Sequence, residues 1–201
     1  MSIISEDIID EVIDQINNNR DPKKAFHNII AIGKKYLPSQ IWESFEAMNL
    51  EMDTIDVQIW LQKSLVRFPK TTGIYFGLDT LNMDNGKGSN IEIGLSNTCD
   101  PREFSDHWIY DCDSYGDNHL INGLNLVSDN FTNTIKWSPE ERSFSEYLIF
   151  LGYSGIVLRE ALINVTTEID FLSIWGFHDG DMFYLVNKRG LNRSVVANMD
   201  I

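Results

Sequence analysis

The sequence predicts an α+β fold: N-terminal helices followed by a mostly antiparallel sheet, with one long helix packed on it. Three observations carry this expectation. Apolar residues recur at helical spacing through the first 70 residues. Four later runs are short, aromatic and β-branched. A strong helix-start signal at Ser138 stands between the second and third of those runs. No linker, internal repeat or low-complexity stretch divides the chain. Residues 1–201 are therefore read as a single domain, with a helical part over 1–70 and a mixed α/β part over 71–201.

Each element has a local cause. Ser5 is placed to cap a helix whose Ile8, Ile9, Val12, Ile13 and Ile16 fall on one face, and Asn17-Asn18-Asn19 breaks it. Asp21-Pro22 joins a cap to proline at the first helical position, ahead of the stripe Phe26, Ile29, Ile30 and Gly33. Pro38-Ser39 opens a third helix with Ile41, Trp42, Phe45 and Met48 inward. A fourth is expected from Thr54 to Phe68, packed through Ile55, Ile59, Trp60 and Leu65 and ended by Pro69. Gly73 to Leu78 is apolar on both faces, as in a covered strand, and Asn90 to Ser96 alternates as a second one. The connection at Asn82 to Gly88 is rich in turn residues. Cys99 to Phe131 shows little periodicity and reads as long loops. Ser138-Pro139-Glu140-Glu141 is a capping box opening a helix to about Leu162, where Gly152 and Gly155 threaten a kink. Phe171 to Phe177 and Met182 to Val186 flank His178-Asp179-Gly180-Asp181, the pattern of a hairpin.

Composition narrows the function classes. The chain has 201 residues, 30 acidic against 16 basic, and a formal net charge of −14. Direct binding to nucleic acid needs a basic footprint to displace counterions, so that class is excluded. The aromatic content is too high for a disordered acidic protein. The longest lipid-like stretch, Tyr147 to Leu158, is too short to span a bilayer, and the first residues lack the basic and apolar regions of a secretory signal. Cys99 and Cys112 cannot build a disulfide framework and are read as reduced thiols, so the cytoplasm is the expected location.

The charge is unevenly spread. Ten acids between Asp79 and Asp129 face only Lys87 and Arg102, a local net charge of −8. Trp108, Tyr110 and Tyr115 lie in the same stretch. Carboxylates steer a basic protein and aromatics anchor it, so Asp79, Asp84, Asp106, Trp108, Tyr110, Asp111, Asp113, Tyr115 and Asp117 form the candidate partner-binding set. The competing account is a solvated loop that keeps the protein soluble.

Other constellations are weaker. Asp111-x-Asp113-x-Tyr115-Gly116 opens like an EF-hand loop, but Tyr115 and Asn122 stand where ligands belong. Cys99, His107, Cys112 and His119 lack the paired spacing of a zinc site. His178, Asp179 and Asp181 have the groups for proton transfer, yet a tight turn wants the same residues. No nucleophile, phosphate-loop or zinc-protease motif is present, and no cofactor or metal is expected.

The segments Gly73-Ile74-Tyr75-Phe76-Gly77-Leu78-Asp79 and Trp175-Gly176-Phe177-His178-Asp179-Gly180-Asp181-Met182-Phe183-Tyr184-Leu185 resemble those of small bacterial immunity proteins from polymorphic-toxin and contact-dependent inhibition systems. The resemblance is one of style over the C-terminal two thirds, and it carries over no site residue. It implies an acidic, cytosolic protein that inactivates a toxin by binding it. The expected function is thus non-enzymatic capture of a basic partner such as that toxin. The alternative is a small hydrolase or metal-dependent enzyme using the acidic loops with His107, His119 or His178.

Overall fold

A computed structural model describes residues 5–79, 90–103, 107–125, 127, 137–167, 170–177 and 182–188. The helices are α1 (Glu6–Asn18), α2 (Pro22–Tyr36), α3 (Leu50–Arg67) and α4 (Pro139–Asn164), with 3-10 turns at Gln40–Phe45 and His107–Asp111. The strands are β1 (Gly73–Asp79), β2 (Asn90–Ser96), β3 (Ser114–Tyr115), β4 (His119–Leu120), β5 (Phe171–Phe177) and β6 (Met182–Lys188). They form one six-stranded sheet in the order β3-β2-β1-β5-β6, with β4 also paired to β2. The central pair, β1 with β5, is parallel, and every other pairing is antiparallel. The expected α+β architecture is the observed one.

The helix starts follow from their caps. Asp21 accepts from the amides of Lys23 and Lys24, with Pro22 opening α2. At α4 the Ser138 hydroxyl accepts from the Glu141 amide while the Glu141 carboxylate accepts from the Ser138 amide. Such a cap contributes about 1 kcal/mol. Ser5 makes no side-chain capping bond at α1. The expected third helix is instead a short 3-10 helix over Gln40–Phe45, though Ile41, Trp42, Phe45 and Met48 are buried as anticipated.

Sequence expectations fail at α3 and at α4. Helix α3 starts at Leu50, not Thr54, because the Asn49 side chain caps the Met52 amide. Its buried face is Leu50, Asp53, Val57, Leu61 and Leu65, so Ile55 and Ile59 point outward. The helix is apolar on both faces, and spacing alone does not say which one turns inward. In α4, Gly152 and Gly155 cause no break. They let neighbours approach: a Cβ on Gly152 would lie 2.8 Å from Ile29 Cδ1, and one on Gly155 2.9 Å from Trp175 Cζ2.

The main core lies between the sheet and the helices. Ile74, Phe76, Leu78, Ile91, Ile93, Leu95, Phe171 and Trp175 project from alternate strand positions toward α4 and its neighbours. Tyr147 stacks on Phe177 at 4.9 Å, and Phe26 of α2 meets Tyr153 edge-on at 5.0 Å. The buried Arg159 guanidinium caps the carbonyl of Ile16 and pairs with Glu160. The opposite sheet face carries a smaller cluster of Tyr75, Leu172, Ile174 and Tyr184, covered by Cys99, Trp108 and Ile109. No helix among the described residues is long and apolar enough to cross a membrane.

Candidate functional site

The stretch expected to form long loops is a strip laid along the outer edge of β2. Ser114 and Tyr115 pair with Leu95 and Gly94, and His119 and Leu120 pair with Ile91 and Asn90. A helical segment at 122–125 follows. Two short pairings close an edge that would otherwise expose unpaired backbone. The strip is pinned from both faces of the sheet. On the small-cluster side Cys99 and Trp108 lie over Gly73, where a Cβ would come within 2.7 Å of Cys99 Cβ. On the α3 side the Trp60 ring stacks on His119 at 4.8 Å, and its indole donates to the Asp117 carbonyl at 3.1 Å. His119 Nε2 also lies 3.0 Å from the Asp56 carboxylate.

These anchors decide what faces solvent. Trp108 is buried, so of the three candidate aromatics it is Tyr110 and Tyr115 that are exposed, at 77% and 54%. Asp111, Asp113 and Asp117 are exposed on the same strip. None of the three makes an ion pair among the described residues. The Asp113 carboxylate accepts from the Asn97 amide at 2.7 Å, which ties it to the turn after β2. Asp79 ends β1, its backbone paired with Asn90, which in turn pairs with Leu120. Asp84 and Asp106 lie outside the described residues. The structure thus gathers Tyr110, Asp111, Asp113, Tyr115 and Asp117 on one strip and turns Trp108 inward to hold it.

The zinc constellation draws on residues the fold separates. Cys99 lies over Gly73 on the small-cluster face, and Cys112 lies over Gly94 on the same face. His119 shares the inner face with Ile91, against Trp60. The sheet edge stands between the thiols and that histidine. Among the described residues no group of three or more His, Cys, Asp or Glu side chains is placed to hold a metal ion. The EF-hand-like carboxylates do not converge either, since Asp113 is bonded to Asn97 and Tyr115 sits in β3.

A cavity of about 340 Å³ opens beside Trp108 and Asp111, walled also by Cys99, Asp100, Glu103 and His107. Its thiol is not a nucleophile at neutral pH, because burial and the Asp100 carboxylate push Cys99 up to about 12. Burial likewise pushes Cys112 up to about 11. Asp100 is engaged by the Arg102 guanidinium at 2.6 Å. His178, Asp179 and Asp181 lie outside the described residues.

Two features had no legible signal. Asp53 is buried in the first turn of α3, and its Oδ2 accepts from the Tyr153 hydroxyl at 2.7 Å and the Gly123 amide at 2.8 Å. Burial, followed by the Asp53 contact, raises the Tyr153 hydroxyl far above its ordinary range. The outer face of α3 is the second: Met52, Ile55, Ile59 and Val66 are 50–71% exposed. No family model, no curated protein and no solved structure matches this chain.

Proposed function

We propose that the chain is a non-enzymatic binding protein of the immunity type, acting in the cytoplasm, that holds a basic toxin domain against the strip on the outer edge of β2. One observation carries this reading. Tyr110, Asp111, Tyr115 and Asp117 face solvent from a backbone pinned on both sides, and neither carboxylate is neutralised by a cation among the described residues. A preordered acidic strip raises the encounter rate with a basic surface. Two tyrosines supply rigid anchors at low entropic cost once contact is made. Burial, followed by the neighbouring Cys112 and Glu92, raises the Tyr115 hydroxyl above its ordinary range.

The test uses Asp111→Lys/Asp117→Lys and omits Asp113, whose carboxylate serves the fold. Affinity capture from the native cell identifies the partner, and its association with both proteins is then timed across salt concentrations. The double variant should associate about tenfold more slowly at low salt, the gap closing above about 0.5 M. Tyr110→Ala should instead speed dissociation. Equal rates for wild type and the double variant at low salt would remove the strip as the binding surface.

A further inference from the structure

We propose that the chain forms a two-fold dimer in which the outer face of α3 packs antiparallel against the same helix of a second copy. Four of the most exposed apolar side chains, Met52, Ile55, Ile59 and Val66, lie on this one helix face. Their spacing of three, four and seven residues keeps them on a single strip, the seam geometry of paired helices. Ile163, at the end of α4, is also exposed beside it. Gln58 donates to the Asn164 carbonyl and Gln62 to the Thr166 carbonyl, holding that end of α4 against α3.

The charges beside the strip choose the occupant and its direction. Glu51 and Asp56 flank the N-terminal half, while Lys63 and Arg67 flank the C-terminal half. The remaining acid of the helix, Asp53, is buried on the opposite face. The four flanking charges cancel, so this face gives a basic partner no electrostatic reason to bind, unlike the strip on β2. Asp56 and Lys63, which share one flank of the strip, are instead complementary to their own reversal. With the axis near Ile59, Asp56 faces Lys63 of the partner subunit, and Lys63 faces Asp56 of the partner subunit. Glu51 lies on the other flank of the strip and takes no part in this pairing. A parallel pairing would set like charges side by side. Self-complementarity under a two-fold rotation is what an isologous interface requires. The existing neighbours permit it: Asp56 remains half exposed beside His119.

Sedimentation of the full chain tests this. The weight-average mass should rise from 23.1 kDa toward twice that value as concentration increases through the micromolar range. Ile59→Lys should keep the mass at the monomer value with an unchanged circular dichroism spectrum and melting curve, since the side chain is already half exposed. Asp56→Lys and Lys63→Asp should each weaken self-association about tenfold, and an equimolar mixture should restore it through the mixed dimer. A monomer at every concentration overturns the proposal and leaves the face to some other protein. A dimer indifferent to Ile59→Lys, or a mixture no tighter than its components, overturns it equally.

Discussion

Removing the Tyr153 hydroxyl should destabilise the fold more than any single exposed contact. The hydroxyl donates to Asp53 Oδ2 at 2.7 Å, and Asp53 is 3% exposed. A hydrogen bond to such a group contributes about 1.5–3 kcal/mol, and water cannot replace the lost donor at a site this dry. The ring of Tyr153 stays in Tyr153→Phe, so its edge contact with Phe26 and its apolar burial are kept. The expected cost is therefore about 2 kcal/mol, or about 4–8 °C in Tm for a chain of this size. Asp53→Ala should cost more, because it strands both the Tyr153 hydroxyl and the Gly123 amide. Urea unfolding of the two single variants and the double variant closes a cycle. The double should cost less than the sum, by about 1–2 kcal/mol, if the two groups act through each other. A Tyr153→Phe protein within about 0.5 kcal/mol of wild type refutes the reasoning.

Two further outcomes follow from other contacts. Gly155→Ala should lower Tm despite a gain of about 1 kcal/mol in helix propensity, because its Cβ would meet Ile16 Cδ1 at 2.8 Å and the fixed Trp175 ring at 2.9 Å. Gly152→Ala presses only on Ile29 and should lower it less; the reverse order in thermal melts would contradict this packing. The pH dependence of stability should separate Glu141 from Glu146. The Ser39 hydroxyl, then the Ser138 amide and hydroxyl, hold Glu141 below its ordinary range. Its stabilisation is present above that ordinary range and lost as pH falls through the lowered value. Burial raises Glu146, partly offset by Arg142, so its contribution is present in acid and lost as pH rises through the raised value. Urea melts at pH 7 and pH 3 should find Glu141→Gln destabilised more at pH 7 than at pH 3. Glu146→Gln should gain on wild type as pH rises.

Local chemistry was readable where one short stretch decides the outcome. Asp21-Pro22 and the Ser138–Glu141 box place helix starts because cap and amide are neighbours in sequence. The alternation in β2 places Ile91, Ile93 and Leu95 inward for the same reason. Helix α3 was misphased because Met52, Ile55, Ile59 and Val66 form as good an apolar stripe as Leu50, Val57, Leu61 and Leu65. What chose between them is Trp60 meeting Phe76 and His119, and Asp53 meeting Tyr153, contacts spanning 16 to 100 positions. The same distance effect hid the strip on β2. Asp111 and Asp117 were readable as acidic, but Trp108 was grouped with the outward aromatics because only tertiary contact with Gly73 and Cys99 turns it inward.

The parallel pair at the centre of the sheet sets a schedule for the chain. Strand β1 joins Gly73 to Leu172 and Leu78 to Phe177, so its second edge has no partner until α4 and β5 have been made. At a synthesis rate of about 5–20 residues per second, that edge waits several seconds. During the interval Ile74, Tyr75 and Phe76 are an unfinished apolar ribbon, paired on one side only by β2. Non-local closure of this kind folds slowly. The last strands therefore act as a lock on everything before them.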